Sequence, residues 1–119
     1  MRLEISGKVV SKEAGKLRGQ YIAEAQLEGG TRVKFDVIED IMKVNEGDEI
    51  IFLIQDSKPS NEELEESDFC GHGYLVEDEE RAGKTIFSVW GMLFIFNNKL
   101  GLKINEKYYI CIKRGRVSA

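Results

Sequence analysis

By residue type, the part of this chain best suited to chemistry is Cys70-Gly71-His72, which holds the sole histidine and one of the two cysteines; the other is Cys111. A metal centre is the first chemistry to weigh. Structural zinc takes four nitrogen or sulfur ligands at recurrent spacing, and this inventory would leave the fourth place to a carboxylate. In a strand, Cys70 and His72 share a face two residues apart, with no tight turn to bring both round one ion. No metal and no cofactor are expected, and the pair reads as a buried thiol beside a partly exposed imidazole. Nucleophilic catalysis meets a similar obstacle, because a Cys–His dyad needs an activated thiolate and an oriented base, and no family signature accompanies this pair. Asp78, Glu79 and Glu80, next to Arg81 and Gly83, have the composition of a solvated hairpin turn rather than of a general acid and base. The sequence has no P-loop, GxGxxG or nucleophile elbow. No catalytic residue is expected.

The closing segment offers a different chemistry. Lys107, Tyr108, Tyr109, Lys113, Arg114 and Arg116 could supply a basic groove with stacking platforms for single-stranded nucleic acid. Charge distribution bears on this: residues 81–119 carry +7, residues 1–55 carry −2 and residues 56–80 carry −9, so the chain is electrically two-ended. The total of 17 Lys+Arg against 21 Asp+Glu argues against a general nucleic-acid or anionic-membrane binder. The acidic stretch would repel phosphate. A free-standing single-strand-binding barrel is the alternative reading, with affinity expected to be weak and steeply salt-dependent.

The elements that must position these residues are short strands. A chain of 119 residues with 42% hydrophobic content supports one core, so residues 1–119 are expected to form a single domain. Arg2–Val10 alternates apolar and polar residues and bends at Gly7; Ser11–Gly19 reads as a loop. Gln20–Leu27 and Thr31–Ile38 flank Glu28-Gly29-Gly30 as an antiparallel hairpin. Glu39–Lys43 is one helical turn, Gly47 supplies a positive-φ corner, and Ile50–Gln55, apolar on both parities, is a central or covered strand. Ser57–Ser67, with the sole proline and Leu64 as its only large apolar side chain, reads as an acidic mobile loop whose removal costs little. Phe69–Glu77, a charged turn at Asp78–Gly83 and Lys84–Asn97 follow, read as a hairpin that runs on into a further strand past Gly91. From Ile86 to Phe96 only Ser88 and Gly91 interrupt an apolar run, so both parities are greasy and a cover over the second face is expected. Gly91 marks a bulge or corner. Lys107–Lys113 closes, with residues 114–119 as a basic tail. Seven or eight strands, glycine-rich corners and one helical turn predict an all-β fold, a small closed antiparallel barrel of OB-fold type.

Two cysteines make no dense disulfide framework, and the N-terminus lacks the apolar core of a signal peptide, which predicts a cytoplasmic protein. The Ile86–Phe96 run falls well short of the ~20 residues of a membrane-spanning helix. No membrane partner is expected.

At DFCGHGYLVEDEE, KTIFSVWGMLFIF and LKINEKYYICIKR the chain resembles the eighth-subunit family of DNA-directed RNA polymerases, in its short archaeal branch, the G subunit. The likeness holds in order as well as kind: a strand led by Glu46-Gly47-Asp48-Glu49, an acidic variable segment at Ser57–Ser67, an aromatic-glycine strand ending in acids, Trp90-Gly91 before an apolar strand, and a closing strand with tyrosine and terminal lysine. The resemblance implies an OB-like barrel that catalyses nothing itself, docks on the outside of the largest polymerase subunit and neighbouring subunits, supports assembly or stability, and does not prefer to pair with itself. The face turned to that partner is expected among Phe69, His72, Tyr74, Trp90, Gly91, Met92, Phe94 and Phe96.

Overall fold

Alternating apolar and polar residues commit a strand to one wet and one dry face, and a sheet of such strands must curl to bury the dry face. In the computed structural model, which describes residues 1–76, 83–103 and 105–115, eight strands do so: β1 (Arg2–Ala14), β2 (Gln20–Leu27), β3 (Arg32–Ile38), β4 (Glu49–Gln55), β5 (Phe69–Leu75), β6 (Thr85–Val89), β7 (Met92–Phe96) and β8 (Lys107–Gly115). They close in the order β1-β2-β3-β7-β6-β5-β8-β4, every pairing antiparallel. The expected closed all-β barrel is what forms, and closure leaves no edge strand to template aggregation. The charged turn expected at Asp78–Gly83 lies, up to residue 82, outside the described residues, as do Ile104 and the tail beyond Gly115.

β1 runs four residues further than the pattern predicts and takes in the first four residues of the expected loop. Its first half pairs with β4 and its second with β2, Gly7 standing opposite both Ile50 and Leu27, and the register shifts between Val9 and Ser11. A bulge at Val10 adds the bend that lets one strand serve two neighbours. The turn after β3 is helical as expected: the Ile38 carbonyl accepts from Ile41 N at 2.9 Å and Met42 N at 3.0 Å. It folds Met42 and Val44 into the core.

The interior is lined by rings. Phe35 meets Phe52 edge-on at 5.4 Å between centroids and stacks with Phe94 at 5.9 Å; Phe87 bridges Phe96 and Tyr108 at 6.1 and 5.8 Å. Ile50, Ile54, Ile110 and Ile112 fill between them, fully buried.

Two expectations fail in instructive ways. Ile86–Phe96 is not one strand with two greasy faces. β6 and β7 are joined by Trp90-Gly91 alone, with Val89 paired to Met92 across the turn. Both turn residues have positive φ, 52° and 85°, as a two-residue type I′ hairpin demands. Such a turn reverses the chain and switches the inward parity: Phe87 and Val89 point inward before it, Met92, Phe94 and Phe96 after it. Gly91 is thus a hairpin tip rather than a bulge in a continuing strand. The outer row, Ile86, Ser88, Leu93 and Ile95, is part-exposed or exposed, so no cover over a second face is needed.

The acidic segment is not a loop throughout. Asn61–Glu66 forms a short helix, α1, closed at its start by a reciprocal capping box: Glu63 N donates to Ser60 Oγ at 3.1 Å and Ser60 N donates to Glu63 Oε1 at 2.9 Å. Ser67 Oγ donates to the Glu63 carbonyl at 2.7 Å at the other end. Arg2, at the start of β1, reaches Glu63 Oε2 at 3.3 Å. The helix lies beside β8, where Glu63 and Glu66 border a crevice with Ile51, Leu53 and Cys111. That placement answers the pattern of β4, whose outward Leu53 is buried.

Candidate functional site

The glycines of Phe69-Cys70-Gly71-His72-Gly73-Tyr74-Leu75 decide where the outer surface turns aromatic. On β5, Phe69, Gly71, Gly73 and Leu75 point inward, and Cys70, His72 and Tyr74 outward. A Cβ on Gly73 would sit 2.0 Å from the Ser88 carbonyl oxygen, and one on Gly71 would sit 2.7 Å from Val89 Cγ1. The missing side chains let β6 lean over β5, since backbone can approach only where no Cβ stands. The hairpin tip is carried with it, and Trp90 comes to rest against β5 with its ring centroid 5.8 Å from Phe69 and 6.1 Å from His72, both edge-on.

Cross-strand register completes the surface. Cys70, His72 and Tyr74 stand directly opposite Cys111, Tyr109 and Lys107 of β8. His72 and Tyr109 lie 5.9 Å apart, and Lys107 Nζ sits 5.2 Å over the Tyr109 ring. Cys70 and Cys111 are joined in a disulfide, which corrects the reading of Cys70 as a free thiol. The two residues lie 41 apart in sequence, and only the pairing of β5 with β8 brings them together. The thiolates a zinc site would need are consumed in this bond, and His72 is turned to its aromatic neighbours.

Between this surface and α1 runs a groove of about 120 Å³, lined by Pro59 and Leu64 on the helix side and by Trp90, His72, Tyr109 and the Cys70 side of the disulfide on the barrel side, with Lys58 at its rim. Its walls are almost wholly apolar. Trp90 is 63% exposed there, on a backbone conformation that bulky residues seldom adopt. Glu63 anchors the helix wall. Its carboxyl is held below the ordinary glutamate value, foremost by the hydrogen bond from the Ser60 backbone; partial desolvation opposes this, and the Ser60 side chain and Arg2 add to it.

The pattern of the family described as the G subunit of DNA-directed RNA polymerase matches residues 2–115. The chain belongs to that family. Among its relatives, DNA-directed RNA polymerase subunit Rpo8 of Sulfolobus acidocaldarius is 29% identical, the alignment covering 90% of this chain and 93% of the relative. The subunits of the same name from Saccharolobus solfataricus and Saccharolobus shibatae are 28% and 27% identical, each over 92% of this chain and over 91% and 92% of their own lengths. Among solved structures, the cytoplasmic molybdate-binding protein ModG covers 93% of this chain and 89% of its own at 15% identity and a TM-score of 0.36, too slight a likeness to build on.

In this polymerase-family chain the residues expected to face a partner divide by parity. His72, Tyr74, Trp90 and Gly91 are exposed. Phe69 on β5 and Met92, Phe94 and Phe96 on β7 are buried in the barrel, the last three because the hairpin turns the even positions of β7 inward. The residues weighed for nucleic acid divide as well. Tyr108 is a core residue whose hydroxyl accepts from Lys103 N at 3.0 Å. Arg114 is tied to the barrel, its N donating to Asp68 Oδ2 at 2.6 Å and its Nη1 to the Lys43 carbonyl at 3.0 Å. Lys107, Tyr109 and Lys113 share the outer row of β8, and Arg116 lies outside the described residues. Sequence reasoning misses Pro59, Leu64 and α1 as parts of the site. A signal is nonetheless present: Ser60-Asn61-Glu62-Glu63 is the capping-box pattern.

Proposed function

We propose that this chain is a subunit of a DNA-directed RNA polymerase, without activity of its own, that docks on the largest subunit and supports assembly or stability of the enzyme in the cytoplasm. Family membership supports the subunit reading. The observation that carries the docking reading is the outward aromatic set on β5 and the hairpin tip: His72 and Trp90 stand exposed in ring contact, with Tyr74 the next outward residue on β5, although the barrel has inward positions for apolar side chains. Contiguous exposed apolar surface of this kind is the mark of an interface, and tryptophan and tyrosine are the side chains interfaces favour. A monomeric subunit that meets its partner through this face needs no copy of itself.

Co-purification tests the reading. Tagged chain drawn from its own cells is expected to elute with the polymerase subunits, and omission of the chain from a reconstitution is expected to lower the yield or thermal stability of the assembled enzyme. Elution alone with oligonucleotide bound would favour the single-strand-binding alternative instead.

A further inference from the structure

We propose that the groove between α1 and the Trp90 hairpin holds an extended segment of another polymerase subunit, anchored by one large apolar side chain with Lys or Arg beside it. The inference rests on the polymerase reading and adds the chemistry of the partner. Three observations carry it.

The groove is shaped for one side chain. At about 120 Å³ it is smaller than the ~300–1,000 Å³ sites that take cofactors or drug-sized ligands. Its walls are Trp90, Tyr109, Pro59 and Leu64, and β5 is already paired with both β6 and β8, so an incoming chain cannot add as a strand. Recognition must run through a side chain.

The wall is acidic. Residues 56–68 hold six acids and one base, Lys58. Glu62, Glu65 and Glu66 are exposed on α1, and among the described residues none is in an ion pair; Glu63 alone is engaged, with Arg2. This field repels phosphate and attracts cationic side chains, which selects a basic polypeptide over RNA or DNA.

The tip is kept at a conformational cost. A type I′ turn favours Asn-Gly, and a bulky residue at its first position is held at positive φ against its steric preference. Here that residue is Trp90, 63% exposed, its ring near-perpendicular to those of Phe69 and His72 and lining the groove. The turn itself would take a smaller residue here, so the ring serves its contacts with Phe69 and His72 and the groove wall.

The test uses whole polymerase purified from cells carrying benzoylphenylalanine in place of Lys58 at the groove rim, with a control placing it at Lys34 on β3. Irradiation is expected to join position 58 to another subunit, at a segment with a large apolar residue within three positions of Lys or Arg. A cross-link to nucleic acid or to an acidic segment, or none beyond this chain, overturns the inference. If the chain is absent from the purified enzyme, the subunit reading fails and takes this one with it; if present without that cross-link, only this one fails. Two variants sharpen the result. Trp90→Asn suits the turn, so its melting temperature is expected to hold or rise while its affinity for the rest of the polymerase falls tenfold or more. Glu65→Lys with Glu66→Lys is expected to lower the salt concentration at which the subunit dissociates. Wild-type retention by both variants would overturn the proposal.

Discussion

Val89 and Trp90 are neighbours in sequence and opposites in environment, one fully buried in the barrel and the other 63% exposed at the hairpin tip. Lysine at position 89 would bury an unpaired charge, a cost of several kcal/mol against the ~5–15 kcal/mol that holds a domain of this size. Val89→Lys is expected to be unfolded by circular dichroism, whereas Trp90→Lys folds and fails only in assembly with polymerase; equal spectra would contradict the parity of the hairpin. Glu63 gives a prediction in pH. Its carboxyl titrates below the ordinary glutamate value in the folded chain, so the stability it adds is full above the unfolded value and is lost as pH falls through the folded one. The hold of α1 on the barrel is therefore expected to loosen on acidification below the usual carboxylate range. An NMR titration of Glu63 with a midpoint at or above the ordinary value would refute this.

At the scale of elements, α1 and the disulfide act on the same side of the barrel. The helix borders Leu53 and Cys111, so replacing residues 57–67 by a Gly-Ser link uncovers apolar surface on β4 and β8 instead of removing a solvated loop. The geometry thus reverses the expectation drawn from composition: the melting temperature is expected to drop by several degrees in thermal denaturation, and an unchanged melt would show that the helix contributes nothing. The disulfide closes a separation of 41 residues, and for a loop of that length the chain-entropy view assigns a stabilisation of about 4 kcal/mol. Reductant is expected to lower the melting temperature of the wild type and leave that of a Cys70→Ser, Cys111→Ser chain unmoved. A wild-type melt indifferent to dithiothreitol would show that the bond is not formed in the protein as purified.

Taken whole, the molecule is a closed wall with unlike charge on its segments. Residues 81–119 are basic by +7, yet the Arg114 guanidinium is spent on the Lys43 carbonyl and Asp48, and Tyr108 is in the core. What remains for nucleic acid on β8 is Lys107, Tyr109 and Lys113, close to an acidic helix. The isolated chain is therefore expected to bind single-stranded oligonucleotide weakly, with affinity falling steeply from low to physiological salt, because phosphate contacts release counterions and no base-reading surface adds to them. Fluorescence titration at two salt concentrations checks this; tight binding indifferent to salt would restore the single-strand-binding alternative.

What can be read from the residues in order is local. Alternation in Thr31–Ile38, the Gly29-Gly30 corner and the short helical turn after Ile38 are legible because side-chain period and turn chemistry act within a few residues. These suffice for an antiparallel barrel. The capping box at Ser60 is equally local, yet acidic composition argues for a loop there; two reciprocal hydrogen bonds and a neighbouring barrel wall supply what composition lacks. The rest belongs to the folded barrel. Whether a greasy run such as Ile86–Phe96 has two faces or turns back on itself depends on two φ angles at Trp90-Gly91, and the same residues sit inside or outside accordingly. The disulfide and the pairing of His72 with Tyr109 depend on the register of β5 against β8, strands more than thirty residues apart in sequence. Such contacts are fixed when the barrel closes, because closure leaves each strand one register that keeps its apolar side chains inward.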